Sequence, residues 1–202
     1  TTESDFTSQP GIAGLGRLSY DAQHGMFAHP TLAMTPAGSV LGTIDCWMWA
    51  RKPKGQPDIK ESIRWVEGYT IVADLAESMP GSRLVYVSDR EGDIRALMDT
   101  AAERSYPADF LIRSKHNRKI SMGDKLWDRV GGGEPEGELE FTLPAAPDRP
   151  ARLVRQTLYR EQVTLPVRKG APVVSVTAIL AREEHPPVGQ EAIEWRLLTN
   201  RA

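Results

Sequence analysis

The sequence predicts a mixed α/β core followed by, or interrupted by, an antiparallel β domain. Three observations lead there. Residues 84–93 (LVYVSDREGD) carry a short apolar run into a cluster of acids, and residues 94–104 then repeat Ile94, Leu97, Met98 and Ala101 at helical spacing. Upstream, residues 60–79 form one long amphipathic pattern. Beyond the triple glycine at 131–133 the texture changes to short alternating runs such as LVRQTLY and VVSVTAIL, which suit an antiparallel sheet.

Taken in order, residues 1–7 are polar around Phe6 and fit the end of a strand. The glycines of 11–16 (GIAGLG) lack the lysine and spacing of a phosphate loop and read as a turn. Residues 20–34 contain a strand interrupted by Pro30, which implies an edge position or a bulge. After a turn at 36–38, residues 40–49 supply its hairpin partner, with Tyr20, Phe27, Trp47 and Trp49 as the aromatic content. A basic loop with two prolines fills 51–58. The helix over 60–79 turns Ile63, Val66, Ile71, Leu75 and Ala76 inward, with Trp65 and Tyr69 at the margin, and Pro80-Gly81 ends it. The strand of 84–88 and its helix follow, closed by Tyr106-Pro107, and residues 110–112 begin another strand. In the last third, strands are predicted over 138–143, 152–159, 162–167, 173–180 and 192–198, with Lys169-Gly170 as a turn.

Composition bounds the function. A chain of 202 residues with 40% hydrophobic and 26% charged residues can build one sizeable core, or a core and a smaller insert. The net charge of −2 excludes an overall basic field, so any nucleic-acid contact must be local. A single cysteine, Cys46, excludes an internal disulfide framework and fits a reducing, intracellular setting. No apolar run approaches the roughly 18 residues of a membrane span. The polar, acidic N-terminus is not a signal peptide and lacks an initiator methionine, so a fragment or a processed product is expected.

Three places could carry chemistry. Asp89, Glu91 and Asp93 crowd the point where a strand hands over to a helix, the edge at which ligands bind in open α/β sheets. A carboxylate there can hold a hard cation such as magnesium. The plain alternative is that Asp89 or Asp93 caps the helix and Arg90 is a solvated neighbour. Residues 113–119 (RSKHNRK) place five basic or potentially basic side chains at a strand end, able to grip phosphates or simply to keep an edge solvated. Trp195 alternates with Ile193 and Leu197, which on pattern alone makes it a core residue.

These residues resemble the bacterial cut-and-paste DDE transposases of the insertion-sequence-four family, the group that includes the transposon-five enzyme. The matching pieces are TTESDFT at the start, KESIRW at 60–65, SDREGDI at 88–94, FLIRSKHNRK at 110–119 and HPPVGQEAIEWRLLTN at 185–200, in family order and at similar separations. The resemblance implies a ribonuclease-H-like core over 1–118, an inserted antiparallel β domain over 119–190, and a last strand leading back to the core over 191–202. It implies that Asp89 is a catalytic, metal-binding aspartate of a site holding two magnesium or manganese ions. It places Arg90, Arg113, Lys115, His116, Arg118 and Lys119 along DNA, and Trp195 under a base flipped out near the transposon end. The implied partners are double-stranded DNA, as transposon ends and target, and a second copy of the intact enzyme, in a cytoplasmic, nucleoid-associated setting without membrane. Two metals about 4 Å apart would activate the nucleophile and stabilise the leaving oxygen of an in-line phosphoryl transfer.

The departures shape the expectation further. The family's first catalytic aspartate directly precedes the Thr-Thr pair, which here is Thr1 and Thr2. Its glutamate lies on a later helix within a Tyr, Arg, Glu, Lys signature. Tyr159-Arg160-Glu161 is contiguous, in the β block, and does not match it. One catalytic carboxylate of three is therefore expected in this chain, and no cutting or joining of DNA by it alone. Two alternatives stay open: a non-catalytic DNA-binding or interaction relic, and an unrelated α/β metal hydrolase using Asp89, Glu91 and Asp93 together.

Overall fold

The computed structural model describes residues 1–9, 11–147 and 149–202. The fold is mixed α+β with two sheets. Contacts divide the chain into two compact units, Thr1–Ile71 and Val72–Ala202.

In the first unit, β1 (Thr2–Asp5) and β2 (Gly16–Arg17) pair antiparallel with β3 (His24–Met34), and β4 (Val40–Trp49) pairs with β3 as a hairpin. Gly25 sits where two strands meet β3: a Cβ there would fall 1.9 Å from the Ser4 carbonyl oxygen, so only glycine fits. Pro30 lies beyond the last β1 partner, Ala28, and next to a register shift between Thr31 and Leu32. It pairs with Cys46 of β4 but lies past the β1 register on its other side, a one-sided edge position that a residue without an N–H tolerates. Phe27 stacks on Trp49 with ring centroids 4.9 Å apart, and Trp47 leans on Trp49 at 4.6 Å. Tyr20 does not join them, because the turn at 19–22 leaves it 74% exposed.

Helix α1 (Ile63–Ser78) runs across the division between the units. Its buried face is Trp65, Tyr69, Val72, Ala73 and Ala76, whereas Ile63 is exposed. The face is therefore rotated from the aliphatic stripe that the sequence predicts. Two aromatics, the largest apolar areas on the helix, take the interior, and burying them outweighs burying Ile63.

The second unit holds a six-stranded sheet in the order β5-β6-β10-β9-β8-β7. Its strands are β5 (Val85–Ser88), β6 (Asp109–Arg113), β7 (Gly137–Leu143), β8 (Arg152–Thr164), β9 (Ser175–Arg182) and β10 (Glu194–Thr199). Only β5 and β6 are parallel, joined by a crossover through α2 (Arg95–Glu103). Every other neighbour is antiparallel, as the alternating texture implies. Two predicted strands, 152–159 and 162–167, are one continuous β8, since Arg160 and Glu161 continue the ladder opposite Ile179 and Ala178. β10 pairs with β6 on one side and β9 on the other, so the sheet continues from the strands before residue 114 into those after 136. A short helix, α3 (Leu126–Gly131), was not anticipated; it buries Leu126, Trp127 and Val130.

Candidate functional site

The strand-to-helix handover contains a tight turn. β5 ends at Ser88, a 3₁₀ turn spans Arg90–Gly92, and α2 begins only at Arg95. The exposed Asp89 carboxylate accepts the Glu91 N–H at 2.9 Å and so caps the 3₁₀ turn. Neither Asp89 nor Asp93 caps α2, whose N-cap is Ile94 with no side-chain cap. Arg90 is exposed beside Asp89.

Asp93 has a different task. It is 2% exposed and turned toward the end of β6. Its Oδ2 accepts the Ser114 hydroxyl at 2.9 Å and the backbone N–H groups of Lys115 at 2.8 Å and His116 at 3.0 Å. Its Oδ1 accepts the Arg118 guanidinium. Arg118 also reaches the Asp93 carbonyl at 3.3 Å and the Met98 sulfur at 3.4 Å. A buried carboxylate with this many donors is a fixed nucleus around which the chain after β6 is wrapped.

The same segment is held from its other side by α3. Asn117 Nδ2 donates to Asp128 at 2.8 Å, and its Oδ1 accepts the Trp127 N–H at 2.9 Å. The Trp127 indole donates to the His116 carbonyl at 3.2 Å. Thus residues 114–118 are fixed through backbone and Asn117, while the side chains of Lys115, His116 and Lys119 stay exposed. Arg118 belongs to the scaffold, bound by Asp93.

Trp195 stands on β10 and is 41% exposed, so it is not the core residue that alternation suggests. The Arg113 guanidinium lies 4.2 Å from its ring centroid, a cation–π contact. The inward phase of β10 is carried by the fully buried Leu198 instead. Placement of Trp195 depends on Ile193, whose backbone is bonded in both directions. Its N–H donates to Glu183 Oε2 at 3.0 Å, and its carbonyl accepts Gln156 Nε2 at 2.7 Å and the Glu183 N–H at 3.0 Å. Glu183 is itself buried and paired with Arg152. The Arg152 guanidinium, and then the Ile193 N–H, hold the Glu183 carboxyl below the ordinary glutamate range against the opposing effect of burial.

The predicted DNA-facing residues therefore fall into two groups. Arg113 and Trp195 form a stacked pair, while Lys115, His116 and Lys119 project from the clamped segment. A residue that the pattern did not single out for this role, Asp93, organises that segment; its only sequence signal was membership of the acidic cluster.

Asp89 supplies one carboxylate at the strand end. Among the described residues no group of three or more His, Cys, Asp or Glu side chains could hold a metal ion. Asp89, Glu91 and Asp93 do not converge, because Asp93 is committed to β6 and Arg118. The residues present do not by themselves fit a two-metal centre. No helix among the described residues is long and apolar enough to cross a membrane. No protein-family model matches the chain.

Proposed function

We propose that this chain is a DNA-binding part of a cut-and-paste DDE transposase of the insertion-sequence-four type, with a ribonuclease-H-like core and an inserted β domain. In this reading Asp89 is one of three catalytic carboxylates, and magnesium or manganese binding needs the other two. Double-stranded DNA is the partner, and the intact protein works as a homodimer.

The observation that supports it best is the exposed Trp195 with Arg113 stacked on it, beside a clamped basic segment. An exposed tryptophan face is a platform for an unstacked base, and stacking of this kind is worth about 1–3 kcal/mol per base. An adjacent guanidinium can stack in turn or meet the phosphate. The same exposed pair and basic segment fit a second reading, a non-catalytic DNA-binding relic.

Both readings predict preference for DNA with an unpaired base over a fully paired duplex of the same length. Fluorescence anisotropy would measure it, with Trp195→Ala as the probe. The expected result is a selective loss of about 1–3 kcal/mol on the unpaired-base duplex, with little change on the paired one. Equal affinity for both duplexes, or equal loss on both, would remove the reading. Comparing Arg113→Ala with Lys115→Ala separates stacking from simple charge, since only the former adjoins the ring.

A further inference from the structure

An open groove of the second unit, about 640 Å³, lies at the start of α2. Its lining brings together Arg95 from α2, His116, Arg118 and Lys119 from the segment after β6, and Arg168 from the loop between β8 and β9. Asp93, also in the lining, binds Arg118, while Asp99, outside the lining, pairs with Arg95 and Arg168. Ile94, Leu165 and Val167 add apolar surface to the lining.

Arg95 builds this groove. Its Nε donates to Asp99 at 2.6 Å and its Nη1 to the Pro166 carbonyl at 2.9 Å, which ties the β8–β9 loop to α2. Its Nη2 is buried without a hydrogen-bond partner. The first turn of α2 also lacks any acidic residue, and its N-cap makes no side-chain bond. Its leading N–H groups and the helix dipole favour negative charge at this end. Arg168 lies 3.5 Å from Asp99 and, like Lys119, keeps its side chain largely in solvent.

We propose that this groove binds a phosphate group, either free or as a nucleic-acid backbone phosphate. Arg95 and the α2 N-terminus form the part of the site that is tied to the fold, and Lys119 and Arg168 the solvent-facing part. Lys119 lies in the segment that the transposase reading places along DNA, whereas Arg95, Arg168 and the loop at 165–168 lie outside the motifs that suggested that reading.

The test uses the whole chain. Amide chemical-shift mapping with inorganic phosphate should perturb the first turn of α2 and residues 165–168. Shifts spread elsewhere, or none, would overturn the proposal. A single-stranded oligothymidylate of about eight nucleotides distinguishes the sources. Binding that tightens over inorganic phosphate and weakens with salt means a backbone phosphate, and equal weak binding means a free one.

The double variant K119Q/R168Q, both at solvent-exposed positions, should weaken oligonucleotide binding about tenfold and reduce its salt slope by about two. The control R155Q/R160Q, on the exposed β8 surface, should leave both unchanged. Equal loss in the two double variants would show only a diffuse field, and the proposal would fall. A chain that passes here yet shows no preference for unpaired bases keeps this site and loses the transposase reading.

Discussion

Asp93 accepts hydrogen bonds from a hydroxyl, two backbone N–H groups and a guanidinium, and solvent barely reaches it. Removing its carboxylate strands Arg118 and leaves the amides of Lys115 and His116 without their acceptor. Breaking a buried pair in this way costs about 3–5 kcal/mol, so Asp93→Ala should lower unfolding stability by that much in a urea titration. A loss below about 1 kcal/mol would mean that the pair behaves as an exposed one and does not shape the segment. Asp89→Ala removes only the cap of a short exposed turn and should cost about 0.5–2 kcal/mol. The two aspartates look alike in the sequence, as acids in one cluster. They differ because the 3₁₀ turn rotates one toward solvent and the other toward β6, which spacing alone does not show. Trp195 was misread for a related reason. Alternation separates the two faces of a strand but does not tell which face is inward, and on β10 Leu198 decides that.

At the level of elements, the alternating segments after residue 136 were legible as an antiparallel sheet because period-two patterning survives on strands with one solvated face. The helix α3 was not, since six residues ending in glycines give too little periodicity to register. The sheet joint at Ile193 was also invisible, being made by Arg152 and Gln156 of β8 and by Glu183 just past the end of β9. This joint carries a pH dependence. Glu183 titrates below its ordinary value of about 4.3 because Arg152 favours the ionised form. Its contribution is therefore complete above the unfolded value and is lost as pH falls through the lower, folded one. The Ile193 amide, bonded to Glu183, should lose protection from hydrogen exchange, relative to its intrinsic rate, as pH falls below the ordinary glutamate range. In Glu183→Gln that protection should be lower at neutral pH and nearly flat with acidification. A wild-type profile equally flat across the same range would show that the pair does not hold the joint.

For the molecule as a whole, the −2 net charge leaves the proposed DNA contact to a local surface, and the proposed phosphate groove and the Arg113–Trp195 pair are both local. The groove escaped the sequence because Arg95 and Arg168 meet only through the fold. The strand-end carboxylate was legible, since a β5-like run followed by acids marks a sheet edge in any α/β chain. What cation it could serve is a question of how many oxygens converge, and among the described residues Asp89 belongs to no group of three or more His, Cys, Asp or Glu side chains that could hold a metal ion. A magnesium ion keeps most of its waters and gains little from one exposed carboxylate, part of whose acceptor capacity caps a turn. The chain alone should therefore show no Asp89-dependent magnesium or manganese binding by calorimetry, and no metal-dependent cleavage of a supercoiled or end-bearing DNA substrate. Asp89→Ala is the control in both assays. Saturable binding or nicking that disappears in Asp89→Ala would mean that DNA or a second copy completes the site, and the chain would then have to be read as a working part of the enzyme rather than as its DNA-holding frame.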